Sequence, residues 1–262
     1  MATKRYIVTL DAIRRMYPVS PPSWIRITTI TMLCKFLGDI NIEKIRAAFA
    51  DGPIRIRRKG ALTNGFEWSL KNAAFYNQVT IGYEDQFSNK SIKVFPNGSF
   101  QVAGCSDLRD CKRIVRQLTH LVQHALELEK PMETEKFRVV MINTNFSMNS
   151  PVNLMKVIDV LSAENKFLVS FNPDRYSAVK VKFHPAENTK QVTASVFSTG
   201  KIIVTGAETL REIALAYEVL NAKLQTTKIF SETTAADTFD TIKGSKFSDL
   251  VAKLKQEGVK RW

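Results

Sequence analysis

Four residues whose side chains could hold a metal fall within one short stretch: Cys105, Cys111, His120 and His124. A zinc site needs its ligands to converge on one point. The spacing of Cys111, Ile114, Val115, Leu118, Val122 and Ala125 predicts a helix with one apolar stripe. On that helix the step from Cys111 to His120 turns the side chain through about 900°, half a turn net. Cys111 then joins the stripe while the histidines face the other way, so no metal is expected. Gly200-Lys201-Ile202 resembles the end of a phosphate-binding loop. The required upstream Gly position is Ser195, however, no Ser or Thr follows Lys201, and the next element reads as a strand. No carboxylate pair, Ser/His/Asp set or Cys/His arrangement recurs at suggestive positions. The chain therefore reads as non-enzymatic, without cofactor. What remains is the chemistry of binding, carried by large aromatic residues among basic ones.

The charge balance narrows the ligand. Lys and Arg number 38 against 25 Asp and Glu in 262 residues, a net +13, which favours polyanions. Residues 1–131 hold 20 basic against 11 acidic residues, so the first half is the more basic. Three cysteines and no apolar run of bilayer length suit a soluble chain in a reducing compartment, without a membrane partner.

The elements that must position these residues are written twice. "VFPNGSFQVAGCSDLRDCKRIVRQL" (94–118) matches "VFSTGKIIVTGAETLREIALAYEVL" (196–220) in frame. "INIEKI" (40–45) parallels "VNLMKV" (152–157), and "YNQVTIGY" (76–83) parallels "YSAVKVKF" (176–183), all in the same order. Each copy reads as strand, short helix, strand meander and long helix. The first strands are expected at 25–33 and 137–145. The short helices are expected near Asn41–Phe49 and Pro151–Leu161, the second with Ser150 as N-cap before Pro151. "PNG" and "STG" should close hairpins. The last helix should bury Leu210, Ile213, Ala214, Tyr217 and Leu220. Expected boundaries are an N-terminal extension (1–24), a first repeat (25–131) with a basic insertion near 53–74 holding Arg55, Arg57, Arg58 and Lys59, a second repeat (132–225), and a C-terminal tail (226–262). The tail should contain a helix presenting Phe247, Leu250, Val251 and Leu254.

With both long helices on one side of an antiparallel sheet, alternate strand residues point away from the core. That outward set includes Phe95 and Gln101 in one copy, and Phe197, Ile203 and Thr205 in the other. Large apolar side chains on an open face mark an interaction surface.

Residues 25–225 resemble the TATA-box-binding protein family, most closely over 196–220: a Phe, a small-residue turn ending Gly-Lys, a β-branched strand, Thr-Gly-Ala and a long helix. The first copy keeps Phe95, Gly98 and Gly104. The resemblance implies an α+β saddle of two repeats, with a curved antiparallel sheet of about ten strands, helices on its convex face and its concave face on a DNA minor groove. It implies two wedge aromatics per repeat, Phe95 with Tyr76 and Phe197 with Tyr176; Phe75 takes the place of Tyr76 if the register slips by one. Phosphate contacts fall to Arg175, Lys182 and Lys201, the counterpart of Lys182 in the first repeat being Gly82. Gln101, Ala103, Ile203 and Thr205 fall on the groove-facing set.

Near the dyad the family places Asn in the first strand of each repeat, where this chain has Thr29 and Met141. Thr31, Asn143 and Asn145 lie on the same alternating face, and the loss of dyad amides relaxes the expected A·T preference. This departure, with the insertion and the extra termini, suggests a divergent member from a large DNA virus. The implied partners are double-stranded promoter DNA bound by a monomer, a B-type initiation factor and the RNA polymerase machinery, in the nucleus or at a site of viral transcription. Two rivals share the saddle: a recognition domain associated with a nucleic-acid enzyme, and an architectural protein that binds by charge without promoter function.

Overall fold

The computed structural model describes residues 10–17, 21–56, 65–72, 75–86, 88–225 and 229–230. The helix expected around Phe247–Leu254, and Arg57, Arg58 and Lys59, lie outside these residues. After a short helix α1 (residues 10–15), the first run of elements is β1 (Arg26–Phe36), α2 (Ile42–Ala47), β2 (Ile54–Ile56), β3 (Phe66–Lys71), β4 (Val79–Asp85), β5 (Ser88–Val94), β6 (Ser99–Cys105) and α3 (Leu108–Ala125). The second is β7 (Thr134–Ser147), α4 (Leu154–Ser162), β8 (Leu168–Asn172), β9 (Tyr176–Phe183), β10 (Val192–Phe197), β11 (Lys201–Ala207) and α5 (Leu210–Leu224).

Among the described residues all strands join one sheet in the order β2-β3-β4-β5-β6-β1-β7-β11-β10-β9-β8. It has eleven strands where about ten were expected, the addition being β2, which pairs with β3 at one edge. β2 lies inside the stretch read as a basic insertion, and there Arg55 is held by Glu67 of β3 at 2.6 Å. The halves meet along antiparallel β1 and β7, both longer than expected. With the 40–45 and 152–157 blocks superposed, the counterparts of Thr29, Ile30 and Thr31 are Met141, Ile142 and Asn143. The register pairs Ile30 with Ile142, Thr29 with Asn143 and Thr31 with Met141. An arrangement in which i meets j and the counterpart of j meets that of i is that of a two-fold axis, and here it passes through the Ile30–Ile142 pair.

Matching residues shape the two halves. Asn41 caps α2 and Asn153 caps α4, each side-chain oxygen accepting two backbone N–H bonds. Asn153 therefore replaces the expected Ser150 cap, because its Oδ1 reaches the N–H groups of Met155 and Lys156 while Pro151 lies outside the helix. Gly98 and Gly200 turn the two hairpins at φ +78° and +79°, and a Cβ on either would collide with a backbone carbonyl, that of Gly38 or of Ser150. Glycine is required there by conformation and by space.

α3 packs on β6 and β1, α5 on β11, and α4 on β8 and β9. One continuous apolar core forms between helices and sheet, containing Met32, Phe36, Ile81, Phe100, Val181, Ile202 and Tyr217. Cys34, Cys105 and Cys111 are buried thiols. Leu210 departs from its expected stripe: it is exposed, and with Leu108, Ile27 and Val139 it lines a groove on the helix side above the Ile30–Ile142 pair.

Candidate nucleic-acid interface

The strand alternation that fills the core turns a second set of residues to the opposite face. In β10, Val192, Ala194 and Val196 are buried while Thr193, Ser195 and Phe197 are half-buried; in β11, Ile202 and Val204 are buried while Lys201, Ile203 and Thr205 face outward. β6 repeats the pattern with Gln101 and Ala103, and β7 with Met141, Asn143 and Asn145. Among the described residues no helix packs on this face.

The aromatic residues hold different positions in the two halves. Phe95 directly follows β5 and Phe197 ends β10 at the hairpin turns, and each carbonyl accepts a hydrogen bond from the turn glycine, Gly98 at 3.0 Å and Gly200 at 2.9 Å. Tyr176, at the start of β9, meets Phe197 edge to face with ring centroids 5.7 Å apart, and Lys180 Nζ lies 4.6 Å from the Tyr176 ring centre. Tyr76 occupies the turn before β4, not the strand itself, and is 92% exposed. Among the described residues neither it nor Phe95 has an aromatic partner, and Phe75 is exposed beside it. The turn backbone is nonetheless fixed: an Arg46 guanidinium nitrogen donates to the carbonyls of Tyr76 and Gln78, at 3.2 and 2.8 Å. Sequence reasoning missed Arg46, whose only signal was its place in the short helix that repeats.

At the dyad, Asn143 Nδ2 donates to Thr29 Oγ1 at 2.9 Å, and Asn143 Oδ1 is buried with no hydrogen-bond partner. Thr31 is on the outward-facing set but only 2% exposed, between its register partners Ala103 and Met141. Thr31 thus forms part of the floor without offering surface. Asn145 sits between Arg26 and Ile203.

The electrostatics of the two faces differ. On the helix side some of the cations are paired. Lys90, whose side chain is fully buried, meets Asp110 at 3.0 Å, and Arg113 bridges Asp110 at 2.7 Å and Asp85 at 3.1 Å. Burial, and then the hydrogen bond to Asp85, push the Tyr83 hydroxyl up to about 12. Burial opposes ionisation of Asp110, but bonds from the Ser106 N–H, Arg113 and Lys90 hold its carboxyl below the usual range. Arg113 is engaged in this network although exposed, and Arg109, Lys112 and Arg116 beside it on α3 are exposed too. On the open face, Lys71, Lys93, Arg175, Lys180, Lys182 and Lys201 have no carboxylate partner among the described residues. Cys111 faces the core and His120 and His124 face outward; among the described residues no cluster of metal-binding side chains occurs.

Comparison with known proteins agrees with this architecture. The family model for transcription factor TFIID, or TATA-binding protein, matches residues 136–227. A TATA-box-binding protein-like protein of Acanthamoeba polyphaga mimivirus is 28% identical over 236 residues, 74% of this chain and 63% of that one. The TATA-box-binding protein of Tetrahymena thermophila is 26% identical over 125 residues, covering 48% of this chain and 46% of its own length. The chain thus spans less than two thirds of either relative. The solved Methanococcus jannaschii TBP has the same fold, with TM-score 0.52 at 11% identity over 77% of this chain and 98% of that one. The class defined by two β-sheet repeats with helices on one face is the TATA-binding-protein saddle. Residues 136–227 match that family's model, and over most of its length the chain is similar to a divergent, virus-encoded relative of it.

Proposed function

We propose that this chain is a non-enzymatic transcription initiation factor whose open sheet face binds the minor groove of promoter DNA and bends it. The observation that carries the reading is the open face itself, where unpaired lysines flank an edge-to-face Tyr176–Phe197 pair on a half-buried β surface. A minor groove presents apolar sugar walls and few hydrogen-bonding distinctions, so a face of Ile203, Thr205, Gln101, Ala103 and Met141 suits it, with Thr29, Asn143 and Asn145 supplying the polar groups near the dyad. Phe95 with Tyr76, and Phe197 with Tyr176, act as wedges that unstack base steps. Each unstacked step costs a few kcal/mol, offset by the wider contact that bent DNA allows. Lys182, Lys201 and Arg175 neutralise phosphates and release counterions. The helix side, with the exposed basic residues of α3, is where a B-type initiation factor and the polymerase machinery dock, in the nucleus or at a site of viral transcription.

Competition by a small minor-groove ligand tests the binding mode. Fluorescence anisotropy on a labelled A·T-containing duplex should show the ligand displacing the protein, whereas groups added in the major groove leave affinity unchanged. Binding that ignores the ligand but is blocked from the major groove would overturn the reading.

A further inference from the structure

The two repeats differ at one phosphate-contact position, and the structure shows what occupies the space. Gly82 of β4 is the counterpart of Lys182 of β9, so the first repeat lacks the cation by sequence. A Cβ placed on Gly82 would collide with Lys71 Cε and lie 3.2 Å from Lys71 Nζ. Lys71 belongs to the neighbouring strand β3, where its register partner is Thr80, and its chain runs across Gly82 on the open face. Its repeat counterpart is Ser170, the register partner of Lys180, so the second repeat has no lysine on the adjacent strand at this place. No carboxylate among the described residues pairs with Lys71.

We infer that Lys71 is the first repeat's phosphate-binding cation, delivered from β3 to the place that Lys182 fills from β9, and that Gly82 is small because the Lys71 side chain lies over it. The inference rests on the minor-groove reading. It adds a DNA contact at a residue outside the sequence match, and it makes Lys71 and Gly82 a linked pair: a side chain at 82 displaces the ammonium of 71.

The test is the salt dependence of affinity for one duplex, measured for the full chain and for Lys71→Gln, Lys182→Gln and the relocated-cation variant Lys71→Ala/Gly82→Lys, with thermal unfolding as a check of folding. Gly82 has no positive φ, so Lys is conformationally allowed there once Lys71 is shortened, provided the Ser69 hydroxyl, 2.7 Å from the added Cβ, rotates away. One phosphate contact contributes about 0.9 to the slope of log K against log salt. Lys71→Gln should therefore lower the slope by about one and the affinity about eightfold at 0.1 M salt, as should Lys182→Gln, and the relocated cation should restore both. A full slope in Lys71→Gln beside a reduced one in Lys182→Gln overturns the inference and leaves the minor-groove reading standing. Full slopes in both overturn the two together.

Discussion

Asn143 and Thr29 are joined across the pseudo-two-fold axis by a 2.9 Å hydrogen bond from the Asn143 amide to the Thr29 hydroxyl. The bond turns inward one of the two amide N–H donors that would otherwise be free to meet a base edge. In the minor groove A·T and T·A pairs offer only acceptors, so an amide N–H occupied by a threonine reads them less well. Thr29→Val removes the acceptor at constant shape, and it should raise the preference for A·T over G·C at the central base pairs by about one hydrogen bond, roughly fivefold. Paired affinity measurements on the two duplexes check this; an unchanged ratio would show that the amide does not read the groove.

The contact between Tyr176 and Phe197 makes the second repeat the better prepared half. Phe197→Ala should weaken DNA binding by a few kcal/mol while altering folding stability by about 1 kcal/mol or less, since the ring is half-buried on the open face. Tyr76→Ala should cost less affinity than Tyr176→Ala, because Tyr76 must first be ordered on binding. Titration of the three variants, with urea unfolding as the stability check, tests the order.

Arg46 links the first repeat's short helix to the Tyr76 turn through two carbonyls. Arg46→Ala should lower protection of the amides around Gln78 from hydrogen exchange and cost about 1.5–3 kcal/mol, the range for hydrogen bonds to a charged group. Equal protection in both proteins would mean that the turn is held by other contacts.

Glu212 gives a pH prediction. It is buried, which opposes its charge, yet it accepts N–H bonds from Lys190, Glu208 and Thr209, and these hold its carboxyl below the usual range. A folded-state pKa lowered in this way adds stability that is complete above the unfolded value of about 4.3 and is lost as pH falls through the folded one. The wild type should lose stability as pH falls below about 4.3, and Glu212→Gln should be less stable at pH 7 with a shallower acid slope. Urea midpoints across that fall in pH decide it; parallel curves would contradict the role given to Glu212.

The repeat was legible because its signals are local: hairpin glycines, β-branched alternation, and the apolar stripe of α3 all appear in the chain order itself. The outward parity of Phe197, Ile203 and Thr205 followed from the same alternation. What the sequence did not carry depended on neighbours across the sheet. Lys71 reaches Gly82 only because β3 lies beside β4, Thr31 is covered by residues of β6 and β7, and Arg113 is drawn from an exposed helix face into a network with Asp85 and Asp110. Asn153 outcompeted Ser150 as a cap through a difference of three positions that composition alone does not rank. β2 was hidden inside a charged run because a three-residue edge strand has too short a pattern to register.

Energy transfer between dyes at the ends of a short duplex measures directly whether the open face bends DNA by inserting aromatic side chains. At fixed salt the wild type should bring the ends together, and Phe95→Ala/Phe197→Ala should bind with the ends left apart. Salt-sensitive binding to a straight duplex, the same in wild type and double variant, would contradict the account and place charge alone in control of the interaction.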